Sequence, residues 1–174
     1  ANIDLEVVFG MGTWQNTVTG LLAADGDSVT LQNGANVAGV GGLTGTDELL
    51  IENGASVTVT DTQYNNFDAG TIFAAGTETV TINYTAPALL SANDVVENYV
   101  LVGTTGADIT FDGADATRGV QSLDLSGSTG VDTVRIDNAT LEDNGAEALL
   151  VTGFTAGNGG DVFALLLATA PSSN

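Results

Sequence analysis

Apolar and polar residues alternate along short stretches of this chain, as they do in strands that bury one face and expose the other. The pattern is plainest in SVTVT at Ser56–Thr60 and in TVTINY at Thr79–Tyr84. Looser versions of it predict further strands at Leu5–Phe9, Thr17–Leu21, Ser28–Gln32, Glu48–Glu52, Tyr99–Val102, Asp108–Phe111, Ser122–Ser126, Thr133–Asp137, Ala148–Val151 and Val162–Leu167. The chain is therefore predicted to be all-β, with short strands.

Residues that favour tight turns separate the predicted strands. Asn-Gly or Asp-Gly pairs stand at Asp25-Gly26, Asn33-Gly34, Asn53-Gly54, Asp112-Gly113 and Asn144-Gly145. The segment Pro87–Tyr99 interrupts the alternation and predicts a short helix, with Ser91 or Asn93 as its cap. Leu141–Leu150 predicts a turn or a brief helix, and Tyr64–Phe73 predicts an insertion or an edge.

An internal repeat indicates how the strands are arranged. The segment Asp27–Val37 aligns with Asp47–Val57, and Val29 then matches Leu49. The offset, about 20 residues, is typical of one turn of a β-solenoid or roll. We therefore predict one all-β domain over residues 1–174, a β-solenoid or β-roll-like stack, with residues 169–174 as a frayed tail. A two-sheet β-sandwich with a short helical insertion is the alternative.

The charge balance limits the partners of the chain. It has 22 acidic residues and two basic ones, Arg118 and Arg135, which give a formal net charge of −20. We expect no binding to nucleic acid or to anionic membranes, because both carry the same sign of charge. Divalent cations and cationic surfaces fit this charge better. The longest apolar run, Val162–Ala170, is too short to span a membrane.

The chain contains no Lys, His or Cys, and this excludes several kinds of catalytic site. Nucleophilic triads, thiol nucleophiles, zinc–thiolate sites and lysine-dependent phosphate loops all need one of these residues. Paired carboxylates, which can hydrolyse glycosides, remain available. We predict that the protein is not an enzyme, and a carboxylate-based polysaccharide-cleaving enzyme is the third functional alternative.

A Gly/Asp phrase recurs along the chain. The pattern G-x-T-G-x-D occurs at Gly42–Asp47, Gly103–Asp108 and Gly127–Asp132, and GNGGD at Gly157–Asp161 is a looser copy. One interpretation of its aspartate is a turn cap, in which the carboxylate accepts backbone N–H bonds. The other is a calcium ligand, because stacked turns can supply the carboxylate and carbonyl oxygens that calcium needs.

The phrase resembles the Gly/Asp nonapeptide of RTX-type calcium β-rolls. RTX repeats run in tandem, whereas the copies here are widely and unevenly spaced, so a wider resemblance applies, to the Gly/Asp-rich secreted surface proteins of bacterial S-layers. The resemblance implies that Asp47, Asp108 and Asp132 are Ca²⁺ ligands, with Asp161 more loosely so. Two further carboxylate groups are candidates if a neighbouring strand adds carbonyls, although solvated turns are the more frequent outcome: Asp25 with Asp27, and Asp108 with Asp112 and Asp115.

The functional prediction combines these observations. We predict a secreted, extracellular or cell-surface structural protein that assembles with copies of itself through β-strand edges into a surface layer or filament, assisted by calcium. The predicted assembly residues are apolar side chains near the two ends of the chain, and Arg118, which would meet an acidic patch on another copy. The apolar set is Val162, Phe163, Leu165, Leu167, Leu5, Val7 and Phe9.

The second functional alternative is a calcium-dependent adhesin or glycan-binding module. Such a module needs an exposed aromatic platform, for which Trp14, Tyr64 and Phe67 are the candidates.

Overall fold

A computed structural model describes residues 6–19, 27–43, 48–67, 72–93, 95–111, 120–137 and 148–166. Over these ranges the chain forms strands and one short helix, α1, at Asp61–Asn66. The strands are β1 Glu6–Phe9, β2 Gly12–Thr13, β3 Ser28–Leu31, β4 Ala35–Asn36, β5 Glu48–Ile51, β6 Ser56–Thr60, β7 Ile72–Phe73, β8 Thr79–Tyr84, β9 Ala88–Ser91, β10 Asn98–Gly103, β11 Ala107–Phe111, β12 Val120–Ser128, β13 Thr133–Asp137, β14 Ala148–Thr152 and β15 Val162–Leu166.

The strands form three parallel sheets. The central sheet has seven strands in the order β14-β12-β10-β8-β6-β4-β2. The first flank is β1-β3-β5-β7, and the second flank is β15-β13-β11-β9. Every strand pair named in these sheets is parallel, and each strand pairs with the equivalent strand of the next coil. The predicted β-solenoid is therefore confirmed, and the sandwich alternative, whose sheets would be antiparallel, is wrong.

The register follows the sequence repeat where that repeat is visible. Val29 pairs with Leu49 in β3 and β5, which is the match that the sequence alignment predicted. Elsewhere the length of one coil, here called a rung, varies. Thr79 pairs with Asn98, so this rung is similar in length to the first, whereas Thr133 pairs with Val162 across a much longer one. The corners between strands absorb these differences in length, which is why the repeat fades along the sequence.

The two flanks occupy different parts of the chain. In the first half, a first-flank strand leads through a short corner into a central strand, as from Phe9 to Gly12. From β8 onward, a central strand leads through a short corner into a second-flank strand, as from Tyr84 to Ala88. Helix α1 follows β6 directly, at the chain position that a second-flank strand takes in later rungs, and it packs on β9.

A capping box fixes the start of α1. The Thr60 side chain accepts a bond from the Gln63 N–H at 3.1 Å, and the Gln63 amide oxygen accepts from the Thr60 N–H at 2.8 Å. The buried Gln63 Nε2 also donates to the carbonyls of Val37 and Val40, at 2.8 and 2.9 Å. A single side chain therefore starts the helix and satisfies the backbone of the rung below it.

The helix predicted within Pro87–Tyr99 is wrong. That segment contains β9, and it ends inside β10. In β9 the side chains of Ala88 and Leu90 are buried whereas Leu89 is 74% exposed, which is strand alternation. The segment Leu141–Leu150 lies outside the described residues up to position 147, and β14 begins at Ala148.

Apolar side chains that point inward from the three sheets form the core. At its centre Tyr99 lies edge-on to both Tyr64 and Phe111, with ring centroids 6.1 and 6.0 Å apart. The Tyr64 and Tyr99 hydroxyls are 2.9 Å apart, and the Asn93 N–H donates to the Tyr99 hydroxyl at 2.6 Å. The buried hydroxyls are thus satisfied inside an apolar core. Within the described ranges, no helix has the length and apolarity needed to cross a membrane.

Candidate functional site

The recurring Gly/Asp phrase lies at the corner between the central sheet and the second flank. This aspartate corner consists of residues 103–107, 128–132 and 153–161, which connect β10 to β11, β12 to β13 and β14 to β15. Successive corners stack directly on one another, because the strands on both sides of them are paired in parallel register.

The glycines of the phrase are required by close backbone contact. A Cβ on Gly106 would lie 2.0 Å from the Val131 carbonyl oxygen, and one on Gly130 would lie 2.1 Å from the Thr105 carbonyl carbon. Neither glycine has a positive φ, whereas Gly34 at the opposite corner has φ 80°. Gly106 and Gly130 are therefore needed because a side chain has no room, not because the turn is left-handed.

Asp132 and Asp161 link three rungs through their carboxylates. Asp132 Oδ1 accepts from the Ala107 N–H of the preceding rung at 2.8 Å, and Asp132 is 1% exposed. Asp161 Oδ1 accepts from the Asp132 N–H at 2.9 Å, and its Oδ2 accepts from the Thr155 N–H at 2.7 Å. The predicted turn cap is thus confirmed for these two aspartates, since both carboxylates bond to backbone N–H groups.

A tyrosine completes the buried side of this corner. The Tyr84 hydroxyl lies 2.6 Å from Ser128 Oγ and donates to Asp132 Oδ1 at 3.3 Å. Burial raises the pKa of Tyr84 above its ordinary value, and the negative charges of Asp132 and Asp161 raise it further. Tyr84 therefore stays a neutral hydrogen-bond donor, which is the form that stabilises the Asp132 carboxylate.

Asp108 lies outside this column although the motif matches. Asp108 pairs in register with Thr133, one residue beyond Asp132. Its carboxylate points to the outer surface and accepts from Arg135 Nε at 2.6 Å and from Nη2 at 2.5 Å. The arginine hydrogen bonds and the charge of Asp108 raise the pKa of Arg135. Asp108 is therefore one half of a two-pronged ion pair between β11 and β13.

The carboxylate oxygens at the aspartate corner are the predicted ligands for calcium. Calcium takes six to eight oxygen ligands, several of them from carboxylates. Here Asp132 and Asp161 already bond to backbone N–H groups, and Asp108 bonds to an arginine. In the described part of the chain, no three acidic side chains are grouped so that they could hold one metal ion. The described aspartates are thus engaged as structural caps and as an ion-pair partner.

One more predicted metal ligand lies within the described residues, and several predicted site residues lie outside them. Asp27 is 1% exposed at the start of β3, and its carbonyl accepts from the Glu48 N–H at 3.1 Å. The predicted metal ligands and assembly residues that lie outside the described residues are Asp25, Asp47, Asp112, Asp115, Arg118, Leu5 and Leu167.

Sequence reasoning missed a pair of stacked glutamates at the corner between the first flank and the central sheet. Glu78 and Glu97 each stand one residue before paired positions of β8 and β10, Thr79 and Asn98. Glu78 is 0% exposed, and Glu97 Oε2 is buried without a hydrogen-bond partner. A sequence signal existed, because each glutamate directly precedes a strand that alternates.

The backbone holds Glu78 as a carboxylate. Its oxygens accept from the N–H groups of Gly54, Ala75, Gly76 and Thr77, at distances from 2.8 to 3.2 Å. Burial acts to raise the pKa of Glu78, but these backbone hydrogen bonds outweigh it, so that the pKa is lowered. Glu97 responds oppositely: burial raises its pKa, and the negative charge of Glu78 raises it further.

At the C-terminal end of the solenoid, the described residues leave part of the core uncovered, here called the uncovered core. Phe163 and Leu165 of β15 pair with Val134 and Ile136 of β13, which are 0% and 8% exposed and face inward. Phe163 and Leu165 also face inward, yet they are 47% and 57% exposed, because no further rung covers them in the described residues. Phe154 lies beside Phe163, with ring centroids 5.3 Å apart. Val162 points outward and is 46% exposed.

The N-terminal end is better covered. Phe9 is 2% exposed and Val7 is partly buried against the core. Trp14 lies edge-on to Phe9 at 5.8 Å, and its Nε1 donates to the Gly10 carbonyl at 2.9 Å. The strands β1 and β2 each pair with one neighbour in the described residues, so their other edges carry unpaired backbone groups. At this end the backbone edge is unpaired within the described residues, whereas the Phe9 side chain is covered.

The aromatic platform expected for glycan binding is not formed as predicted. Tyr64 and Phe67 are 4% and 6% exposed, and Tyr64 belongs to the core network with Tyr99. Trp14, at 39% exposed, stands apart as the cover of Phe9.

Comparisons of the chain with protein-family models, with curated proteins and with solved structures found no match.

Proposed function

We propose that the protein is an extracellular structural subunit that stacks end to end through the open edges of its solenoid, forming a filament or a surface layer. The observation that carries the proposal is the uncovered core at the C-terminal end, where Phe163 and Leu165 face inward but are about half exposed. Burial of such side chains by a further rung stabilises the contact by about 1 kcal/mol or more each.

The second copy is suited to cover this end because the central sheet can continue from the β14 edge of one copy to the β2 edge of the next. The edges of β14 and β15 at one end, and of β1 and β2 at the other, are unpaired within the described ranges. Stacking the N-terminal end of one copy on the C-terminal end of the next keeps the strands of the central sheet parallel. The two surfaces differ, so the contact is head to tail and does not close on itself, which generates a filament.

Calcium assists in this proposal by neutralising charge. Each copy carries a formal charge of −20, so bringing two copies together is opposed by repulsion. Divalent cations reduce that repulsion at the acidic surfaces. This role needs no dedicated ligand cage.

The extracellular location rests on composition and resemblance. The chain is lysine-free and rich in glycine and acidic residues, like the Gly/Asp-rich secreted surface proteins that its recurring phrase resembles.

The test compares two substitutions of exposed leucines. Leu165→Asp places a charge on the uncovered core, and we expect it to leave soluble monomers in electron microscopy and light scattering. Leu89→Asp is the matched control, because Leu89 is 74% exposed on the outer face of β9, away from both ends. Both variants should keep the wild-type circular dichroism spectrum. Wild-type protein that stays monomeric in millimolar Ca²⁺, or Leu165→Asp protein that polymerises normally, would contradict the proposal.

A further inference from the structure

The outer face of the central sheet carries a grid of uncharged side chains. Three neighbouring strands, β6, β8 and β10, each present three outward positions in register. The grid, here called the neutral face, consists of Ser56, Thr58, Thr60, Thr79, Thr81, Asn83, Asn98, Val100 and Val102. All nine side chains are partly or fully exposed, while the residues between them are buried.

The absence of charge on this face stands out against the rest of the molecule. The chain carries 22 acids, and the outer positions of the other sheets include Glu6, Glu48 and Asp108. Within the central sheet, the nearest outward acid is Asp124 on β12, in register with Val100. Two copies with a net charge of −20 repel each other least where no acid lies between them. Among the described faces of the three sheets, the neutral face is therefore the one on which lateral approach is least opposed.

The geometry of the face is regular. Neighbouring strands lie about 4.8 Å apart and alternate residues about 6.6 Å apart, so the grid covers about 10 by 13 Å. Hydroxyl and amide groups both donate and accept hydrogen bonds, as Ser122 Oγ does in donating to Asn98 Oδ1 at 2.8 Å at the border of the grid. A face of this kind is complementary to a copy of itself across a two-fold axis.

We propose that the neutral face is a lateral contact between copies of this chain, which joins end-to-end stacks side by side. This inference rests on the proposed end-to-end assembly. The strands of the central sheet follow one another along the solenoid axis, so each stacked copy repeats the face along the filament. Many weak contacts then act together, and lateral association is cooperative.

The experiment compares two variants, each of which adds one negative charge to the outer face of a different sheet. Thr81→Glu adds an acid at the centre of the neutral face. Thr30→Glu is the matched control, because Thr30 is a partly exposed outward threonine of β3 on the first flank. Wild-type protein and both variants are polymerised in millimolar Ca²⁺ and imaged by electron microscopy. We expect sheets or bundles from the wild type and from Thr30→Glu, and separate single filaments from Thr81→Glu.

The outcomes distinguish this inference from the proposed function. Single filaments from the wild type, or unchanged sheets from Thr81→Glu, overturn the lateral contact and leave end-to-end assembly intact. Loss of sheets in both variants also overturns it, because charge at any surface would then suffice. Wild-type protein without filaments overturns the proposed function itself. Single wild-type filaments that bind a neutral polysaccharide such as dextran, with binding lost in Thr81→Glu, would assign the face to a glycan instead.

Discussion

Two stacked carboxyl groups give the solenoid a built-in response to pH. Glu97 has a raised pKa, so the folded state holds its proton more tightly than the unfolded state does. Its stabilising contribution is fully present below the ordinary glutamate pKa and is lost as pH rises through the raised value. Glu78 has a lowered pKa, so its contribution is present above the ordinary value and is lost as pH falls through the lowered one. The pair is therefore most favourable with a single proton.

Replacing Glu97 with glutamine should remove the loss of stability on the alkaline side. Glu97→Gln keeps the shape of the side chain and is neutral at every pH, so the Glu78 carboxylate never faces a second charge. We expect the free energy of unfolding in urea to fall less for Glu97→Gln than for the wild type as pH rises from about 4.5 to 8. Glu52→Gln, at the exposed side of the same corner, is the control and should keep the wild-type fall. Parallel profiles for wild type and Glu97→Gln would contradict this account.

The sequence motif identified the aspartates of the recurring phrase, but it did not predict which of them stack in one column of the solenoid. Asp108 and Asp132 occupy the same place in G-x-T-G-x-D, yet only Asp132 lies in the column with Asp161. A register shift in β12 separates them: Val100 pairs with Asp124, but beyond the shift Gly103 pairs with Ser128, one position further along. Asp108 therefore pairs with Thr133 and lies inside its strand, whereas Asp132 stays in the corner. The register shift within β12 sets this difference, and a motif match carries no information about it. The role of Glu78 was not predicted, because its hydrogen-bond partners are backbone N–H groups, which no residue type in the sequence marks.

At the scale of elements, alternation predicted the strands that bury one face for five residues or more. β6, β8 and β13 have the predicted bounds. The two-residue strands β2, β4 and β7 were missed, because alternation cannot be recognised over two residues. β9 was missed because ALLS follows a proline and reads equally well as a helix start. Its neighbours in the stack determine its conformation.

The corners impose the strictest limit on sequence, and Gly130→Ala should show it. The added methyl group would lie 2.1 Å from the Thr105 backbone, so the stacked corners must separate. We expect a loss of about 1–3 kcal/mol or more in the free energy of unfolding, measured by urea denaturation. Gly10→Ala is the control, because its methyl group would meet only the flexible end of Gln32, at 3.2 Å. Equal effects of the two substitutions would show that Gly130 is not restricted by contact.

At the scale of the whole molecule, the two ends differ and nearly all charged side chains are acidic. The C-terminal end exposes Phe163 and Leu165 from its inner face, whereas the N-terminal end covers Phe9 with Trp14. Because the two ends differ, the proposed contact between them is head to tail and open-ended. The net charge of −20 opposes every such contact, so we expect the proposed assembly to depend on the ionic conditions.

We expect the proposed assembly to depend on cations because of this charge. The described carboxylates at the aspartate corner already bond to backbone N–H groups, so calcium is expected to act by reducing repulsion between whole molecules. Titrating wild-type protein from EDTA into millimolar Ca²⁺ should then produce polymers in light scattering and electron microscopy, and Mg²⁺ at the same concentration should produce them nearly as well. Because divalent ions screen better than monovalent ones, NaCl should be needed at much higher concentration. Polymers that form with Ca²⁺ and not with Mg²⁺ would instead require a site selective for calcium, since Mg²⁺ gives up its water ligands reluctantly.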